Sequence, residues 1–537
     1  MNRPAFLPDP SLPDAPLTAA DLCGRLPLAV PATERFLRCS GFFPLADEGD
    51  ALVVAVDPAA DPEAVAALET ACRRPLRLWP AMPEAVAAAW AAAPGTGGDA
   101  LAAQVAAASL STHATAAAVA ADEAVAADEA GGAAAGGADA AAVEHLRHQA
   151  QETPVVRLVE AILTTAVARG ASDVHLDPFP DRLAVRYRID GVLQEVAAVP
   201  AGLARAVVSR LKVLAGLDIA ERRLPQDGRI GRTFENRPFD LRLATLPAVH
   251  GESLVIRILD SRSGVWSLSA LGLTMPQEAA LDRLLAIPHG LLLVTGPTGS
   301  GKTTTLFAAL SRIDARSRKV LTVEDPVEYR LPWITQVPVH PAIGLSFARV
   351  LRALVRQDPD VILVGETRDP ETAGIAIHAA LTGHLVLTSL HTHTPAGALT
   401  RLLDMGIEPY LLTSTVRGIL GQRLVRRLCS HCRQPVSLSP ALEQAAVALE
   451  FVPETPAALY GAVGCPACAG TGYRGRLGLF SLLLLDEALQ RLTLARADTA
   501  TLDAAAAVAG SEPLLRAGLR QVWQGQTSWE EVQRVGV

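Results

Sequence analysis

A chain of 537 residues is too long for one hydrophobic core and calls for three or four domains. Alanine inflates the 50% apolar content while aromatics reach only 4%, so the composition points to a helix-rich α/β protein and not to a membrane protein. A net charge of −8 gives no global signature of nucleic-acid binding and leaves only local clusters such as "RLVRRLC" at 423–429 to consider.

The first residues, "MNRPAFLPDPSLPDAP", lack the apolar core of a secretory signal. No later window offers the roughly 18–20 strongly apolar residues that a spanning helix needs. The expected location is therefore the cytoplasm, where thiols stay reduced and cysteines serve as core residues or metal ligands before disulfides. Cys23, Cys39 and Cys72 stand alone and read as small buried hydrophobes. Between about 20 and 95 the pattern is that of a small α/β domain. "ALVVAVDP" predicts a strand, "DPEAVAALETAC" a helix opened by Asp-Pro, "RPLRLWPA" a second strand and "MPEAVAAAWAAA" a second helix.

Residues 96–145 then collapse into Ala, Gly, Asp and Thr with no aromatic. They cannot bury enough apolar surface to offset the entropy of ordering, and they read as a flexible linker. Order resumes over 146–262. In "TPVVRLVEAILTTAVARG" the residues Val155, Val156, Leu158, Val159, Ile162, Leu163 and Ala166 fall at helical spacing. "DRLAVRYRIDGVLQEV" predicts a hairpin turning at Asp190-Gly191, and "FDLRLATLPA" and "ESLVIRIL" predict further strands. A last domain, 263–537, carries the chemistry.

There, "HGLLLVTGPTGSGKTTTLFAAL" is a buried strand, a glycine-rich turn and a helix in that order. Gly296, Pro297, Thr298, Gly299, Ser300, Gly301, Lys302, Thr303 and Thr304 form a phosphate-binding loop. The glycines let successive backbone N–H groups converge on phosphate oxygens, and the helix aims its positive end at the same place. Lys302 supplies a charge to the β- and γ-phosphates of ATP, and the Thr303 hydroxyl is placed to ligate Mg²⁺. Hydrolysis also needs a carboxylate to order water. "KVLTVEDPVEY" delivers Glu324, Asp325 and Glu328 to a strand end, and "DPDVILVGETRDPETA" delivers Glu366 and Asp369. In an open α/β sheet the carboxyl ends of the strands are where ligands sit. A third strand, "GHLVLTSLHTHTP", brings His384 and His391 to the sheet, with His391 placed to sense a γ-phosphate or face a partner and His393 peripheral. No cysteine or carboxylate accompanies these histidines at metal-ligand spacing.

"GPTGSGKTTTL", "TVEDPVEY", "LVRQDPDVILVGETRDPETA" and "TGHLVLTSLHT" resemble the Walker A, Asp box, Walker B and His box of the secretion and pilus motor ATPases, and the resemblance covers roughly 145–537. "ARGASDVHLDP", "VRYRIDGVL" and "LPQDGRIG" are similar to the domain that precedes the motor core in that family. Within it, "LLDMGIEPYLLTSTVRGILGQRLVRRLCSHC" looks most like the type II secretion ATPases, with pilus extension ATPases as the alternative. The resemblance implies a multi-domain α/β protein, with a RecA-like core behind a PAS-like domain, that hydrolyses ATP as a homo-hexamer and drives pseudopilus assembly. It also implies catalytic roles for Glu366 (the Walker B glutamate), Glu324 and Lys302, and phosphate contacts for Arg242 and Arg257. Which glutamate polarises the water stays open. Two positions depart from the family pattern: His393 stands where asparagine is frequent, and Ser481 where an acidic residue is common.

Cys429 and Cys432, then Cys465 and Cys468, form two C-x₂-C pairs. Each pair puts two thiolates on one tight turn, and two such turns close a tetrahedron around Zn²⁺ with no position left for water. The module, 425–475, therefore reads as a structural clasp. The retraction motors of the family lack such pairs.

The reading as a whole is a cytoplasmic motor, peripheral at the inner membrane through protein partners. Residues 1–95 are expected to dock on the cytoplasmic domain of a membrane secretion-platform protein, with a polytopic platform protein as a second partner and no nucleic acid. A RecA-like enzyme stimulated by nucleic acid would want a basic groove with stacking aromatics. A nucleotide-sensing scaffold would bind without turnover.

Overall fold

The computed structural model describes residues 153–260, 267–452 and 459–536. Before these it describes Leu37, 42–47, 52–56, 62–72, 75–82, Ala85, Val86, Leu101 and Val105. Cys23, Cys39 and the 106–145 part of the expected linker lie outside the described residues. The chain divides into two compact units, one of 1–234 with 240–258 and the other of 235–239 with 259–537.

In the first unit, β1 (Phe42–Asp47), β2 (Leu52–Val56) and β3 (Leu76–Pro80) form a sheet, with the helix α1 (Pro62–Cys72) linking the last two. All five residues of β2 are buried, and Phe42, Phe43, Val54 and Leu68 anchor a shared core. The strand β1 had no counterpart in the sequence reading. Cys72 is only half-buried at the edge of this core.

The same unit holds the helix α2 (Thr153–Ala168), whose stripe Val155, Leu158, Val159, Ile162, Leu163, Ala166 and Val167 is buried as the spacing requires. Beside it lies a six-stranded sheet in the order β6-β5-β4-β9-β8-β7. Its strands are β4 (Ala171–Pro178), β5 (Arg182–Ile189), β6 (Val192–Pro200), β7 (Gln226–Phe234), β8 (Arg237–Ala248) and β9 (Gly251–Asp260). The β5–β6 hairpin turns at Asp190 and Gly191, both with positive φ, which is what a two-residue turn of this kind demands. A second helix, α3 (Ala201–Leu214), had not been read from the sequence. It buries Lys212, which the Glu252 carboxylate accepts at 2.7 Å and the Glu221 carbonyl at 2.6 Å. A buried ammonium is tolerable only when paired in this way. Tyr187, fully buried, donates its hydroxyl to the Ile162 carbonyl at 2.7 Å and ties the sheet to α2.

The second unit is built on a seven-stranded sheet ordered β12-β11-β13-β14-β10-β15-β18. These are β10 (Gly290–Thr295), β11 (Val320–Glu324), β12 (Thr335–Pro338), β13 (Val361–Val364), β14 (Leu385–Leu390), β15 (Val416–Leu428) and β18 (Tyr473–Leu484). Every pair is parallel except β15–β18, so six strands point their carboxyl ends to one edge. Strands β10, β11, β13 and β14 are buried along their whole length, as parallel strands covered on both faces must be. One core holds Leu293, Val323, Ile362 and Val386 and the other Leu292, Val294, Leu363 and Leu387, so alternate residues of the same strands feed opposite faces. Short strands β16 (Gln434–Pro435) and β17 (Tyr460–Gly461) pair in the cysteine module, between β15 and β18 in the chain.

Candidate nucleotide site and cysteine clasp

The loop 296–301 joins β10 to the helix α4 (Lys302–Leu310) at the carboxyl edge of the sheet. Gly296 has no room for a side chain: a Cβ there would lie 2.4 Å from the Gln422 carbonyl and 2.6 Å from Ser300 Oγ. Gly301 has φ of +85°. A Cβ at that position would meet the Gln422 amide at 3.0 Å. The loop is therefore a bare-backbone cradle of the kind that fits a polyphosphate. Lys302 folds back over it and donates to the carbonyls of Gly296 at 2.8 Å and Pro297 at 3.1 Å. Burial lowers its pKa to about 8, against the opposing pull of Glu366 and with a further push from Arg423. Thr303 and Thr304 open α4 and are half-buried.

Two carboxylates stand at neighbouring strand ends and differ in character. Glu324 ends β11 and is buried; Thr322 Oγ1 donates to it at 2.6 Å and Gln336 Nε2 at 2.9 Å. Burial outweighs these donors and raises its pKa above the ordinary carboxylate range. Glu366 follows β13. Burial opposes its charge too, but Arg368 at 2.7 Å, His391 Nε2 at 2.7 Å and the nearby Lys302 outweigh that and hold its pKa low. Environments that push two carboxyl groups apart mark them for different work.

The other expected residues separate. His391 lies at the end of β14, on Glu366, as the strand reading required. His384 stands at the opposite end of that strand, where its Nδ1 lies 2.9 Å from the Ala379 carbonyl at the close of the helix α5 (Pro370–Leu381). It stands at the amino end of β14, a strand length from the loop edge. Asp369 caps α5 by accepting from the Thr372 amide at 2.8 Å. Arg242 on β8 and Arg257 on β9 belong to the first unit; Arg242 Nε lies 3.5 Å from Asp240 and Arg257 Nε donates to Asp173 at 3.2 Å.

Sequence reasoning missed three groups on the neighbouring strand and loop. Gln422 Nε2 donates to the Ser300 carbonyl at 2.6 Å while its Oε1 accepts from Thr305 at 2.7 Å, so β15 ties the end of the loop to the start of α4. Thr392 hydrogen-bonds Thr295 across the strand ends. His393, expected to be peripheral, accepts from Arg423 Nη2 at 3.1 Å. Nothing local in the sequence ties residues 422–423 to 296–302; the parallel β10–β15 register does.

The four cysteines come together, with all four sulfur atoms within 4.8 Å of one another. Cys429–Cys465 and Cys432–Cys468 are 3.8 Å apart and Cys465–Cys468 3.7 Å. A tetrahedron of thiolates at the usual zinc–sulfur distance has edges of about 3.8 Å. The donor set therefore fits Zn²⁺. Burial works against the Cys468 thiolate, yet the N–H groups of Cys465 and Gly472 pull its pKa down to about 6. The basic run before the clasp is partly taken up inside the unit, with Arg427 exposed. Arg423 is buried, and Arg426 is paired with Glu531 at 2.7 Å and stacked on Tyr473.

A family model described as "Type II/IV secretion system protein" matches residues 148–534, nearly three quarters of the chain. The chain belongs to that family. It is 48% identical to "Type II secretion system protein HxcR" of Pseudomonas aeruginosa, over 74% of this chain and 80% of that protein. It is 47% identical to "Type II secretion system ATPase E" of Vibrio cholerae, over 73% of this chain and 77% of that one. Among solved structures, the ATPase DotB of Yersinia pseudotuberculosis superposes with a TM-score of 0.52 at 18% identity, covering 71% of this chain and 93% of that one. DotB of Legionella pneumophila gives 0.51 at 19%, covering 70% and 94%. At such identities the likeness speaks for the fold. Among the described residues no helix is long and apolar enough to cross a membrane.

Proposed function

We propose that this chain is an ATP hydrolase that drives pseudopilus assembly in type II protein secretion. The observation that carries the reading is Lys302, buried on a bare-backbone phosphate loop and facing the ionised Glu366 at the next strand end but one. The N–H groups of 296–304 bind the β- and γ-phosphates, and Lys302 leaves its two carbonyls to meet them. The Thr303 hydroxyl and the Glu366 carboxylate would hold Mg²⁺, which would supply neutralisation of the charge that develops on the transferred phosphoryl group. Glu324, with its raised pKa, takes the proton of the attacking water, since a base poised nearer neutrality transfers protons best. Arg242 and Arg257 exchange Asp240 and Asp173 for phosphate oxygens, and His391 reports the γ-phosphate through Glu366.

The chain acts as a homo-hexamer at the inner face of the inner membrane. Residues 1–95 dock on the cytoplasmic domain of a membrane secretion-platform protein, and 96–145 tether them to the motor. The thiolates of Cys429, Cys432, Cys465 and Cys468 hold Zn²⁺ as a structural clasp. The test is phosphate release by the full chain with that cytoplasmic domain present, and Lys302→Ala as control. Nucleotide binding without turnover, or stimulation by DNA in place of the membrane partner, would sink the reading.

A further inference from the structure

Among the described residues, cations withdrawn from solvent share a habit. Buried Lys212 meets Glu252, half-buried Arg426 meets Glu531, and buried Lys302 meets two carbonyls. Arg423 breaks it. It is only 4% exposed, its Nη2 donates to His393 Nδ1, and its Nε and Nη1 have no hydrogen-bond partner. No carboxylate lies within ion-pair distance of it among the described residues. A buried guanidinium without a counter-ion costs several kcal/mol as a rule, so a fold keeps one only where something else compensates.

Its place indicates what does. Thr295, the last residue before the phosphate loop, is paired with Gly421, two residues before Arg423. Both sequence neighbours of Arg423 touch the loop: the Gln422 carbonyl closes on Gly296, and Leu424 lies 3.5 Å from where a Cβ of Gly301 would stand. Strand alternation sends Arg423 to the other face, where the segment after β14 brings His393 against it. Nδ1 of His393 accepts, so the ring is neutral with its proton on Nε2. Ser300 Oγ, on the loop itself, is a second buried polar atom without a partner. Repulsion from Arg423 is also among the forces, after burial, that depress the Lys302 pKa.

We propose that Arg423 is a positioning residue for nucleotide: a permanent cation fixed by His393 at the root of the phosphate loop, its charge balanced when a polyphosphate binds. It acts through its field and not by contact with the reacting atoms. The proposal rests on the nucleotide reading of the loop.

The experiment titrates MgADP into the full chain by calorimetry and records thermal unfolding with and without nucleotide, for wild type, Arg423→Met, Arg423→Lys and His393→Asn. Binding of MgADP by the wild type tests the loop reading separately. Arg423→Met is expected to weaken MgADP on the order of tenfold, as removal of one poorly screened charge should. Its nucleotide-free unfolding temperature stays level or rises, because an unpaired buried charge has gone. The alkaline limit of its MgADP binding moves up as Lys302 is relieved of repulsion. Arg423→Lys recovers most of the affinity, and His393→Asn, which keeps an acceptor, stays within about twofold of wild type. Unchanged MgADP affinity in Arg423→Met overturns the proposal. So does a nucleotide-free melting point several degrees lower, which would make the arginine an ordinary structural residue, or a lysine that restores none of the affinity.

Discussion

The phosphate loop and the cysteine clasp are two polar sites in one unit, and they solve opposite problems. At the loop the polar groups are occupied with each other: Lys302 on backbone carbonyls, Glu366 on Arg368 and His391, Gln422 on Ser300 and Thr305. On the proposed nucleotide reading, the contacts of Lys302 and Glu366 are the ones given up to a phosphate oxygen or an ion. At the clasp the four sulfurs lie together at the spacing of a closed tetrahedron, and backbone amides of Gly464, Cys465 and Gly472 donate to two of them. A working site needs replaceable partners, whereas a fastening needs a set that admits nothing further.

The largest break in that contrast is Lys302→Ala. Turnover should fall about a thousandfold or more, with the nucleotide-free melting point preserved, since the change removes a buried ammonium that no carboxylate contacts directly. Phosphate release and thermal unfolding check the two halves. Chelation of the clasp should do the reverse: the 425–475 region loosens and melting drops by about ten degrees, while MgADP still binds. Loss of MgADP affinity in the chelated protein would erase the distinction between the sites.

Glu531→Ala comes next. The Glu531 carboxylate is fully buried and accepts from Arg426 and Arg534, so its removal strands charge beside the clasp and should cost about 3 kcal/mol in denaturant unfolding. The smallest effect on stability, though not on turnover, concerns Glu324. Its folded pKa is raised, so the folded state holds that proton more tightly, and the carboxyl's contribution to stability is lost as pH rises through the folded value. Glu324→Gln should therefore unfold slightly later than wild type at neutral pH, where the wild-type carboxyl has lost its proton, and not at acid pH. In the same variant turnover should fall about a hundredfold or more and the acid limb of kcat/KM should vanish, which a pH-rate profile would show.

What could be read from the sequence were features whose parts are contiguous. The phosphate loop, the two carboxylate-bearing strands and the cysteine pairs each declare themselves within about twenty residues. The β5–β6 turn at Asp190-Gly191 was legible for the same reason. What was hidden depends on pairing over distance. Gln422 and Arg423 matter because β15 lies parallel to β10, and His393 because the segment after β14 crosses above that strand. Likewise Lys212 reads as one more polar position on a helix until the fold supplies Glu252 forty residues on. The type of chemistry was local; its second layer of support was not.

The clasp has a further consequence, in time. Its root on β15 is held from far down the chain: the Leu428 amide donates to the Gln526 carbonyl at 2.8 Å, Arg426 reaches Glu531, and Arg433 donates to the Gly525 carbonyl at 2.6 Å. Ribosomes add about 5–20 residues per second, so these partners emerge several seconds after the first cysteine pair. During synthesis the thiols thus spend an interval complete in number but without their frame.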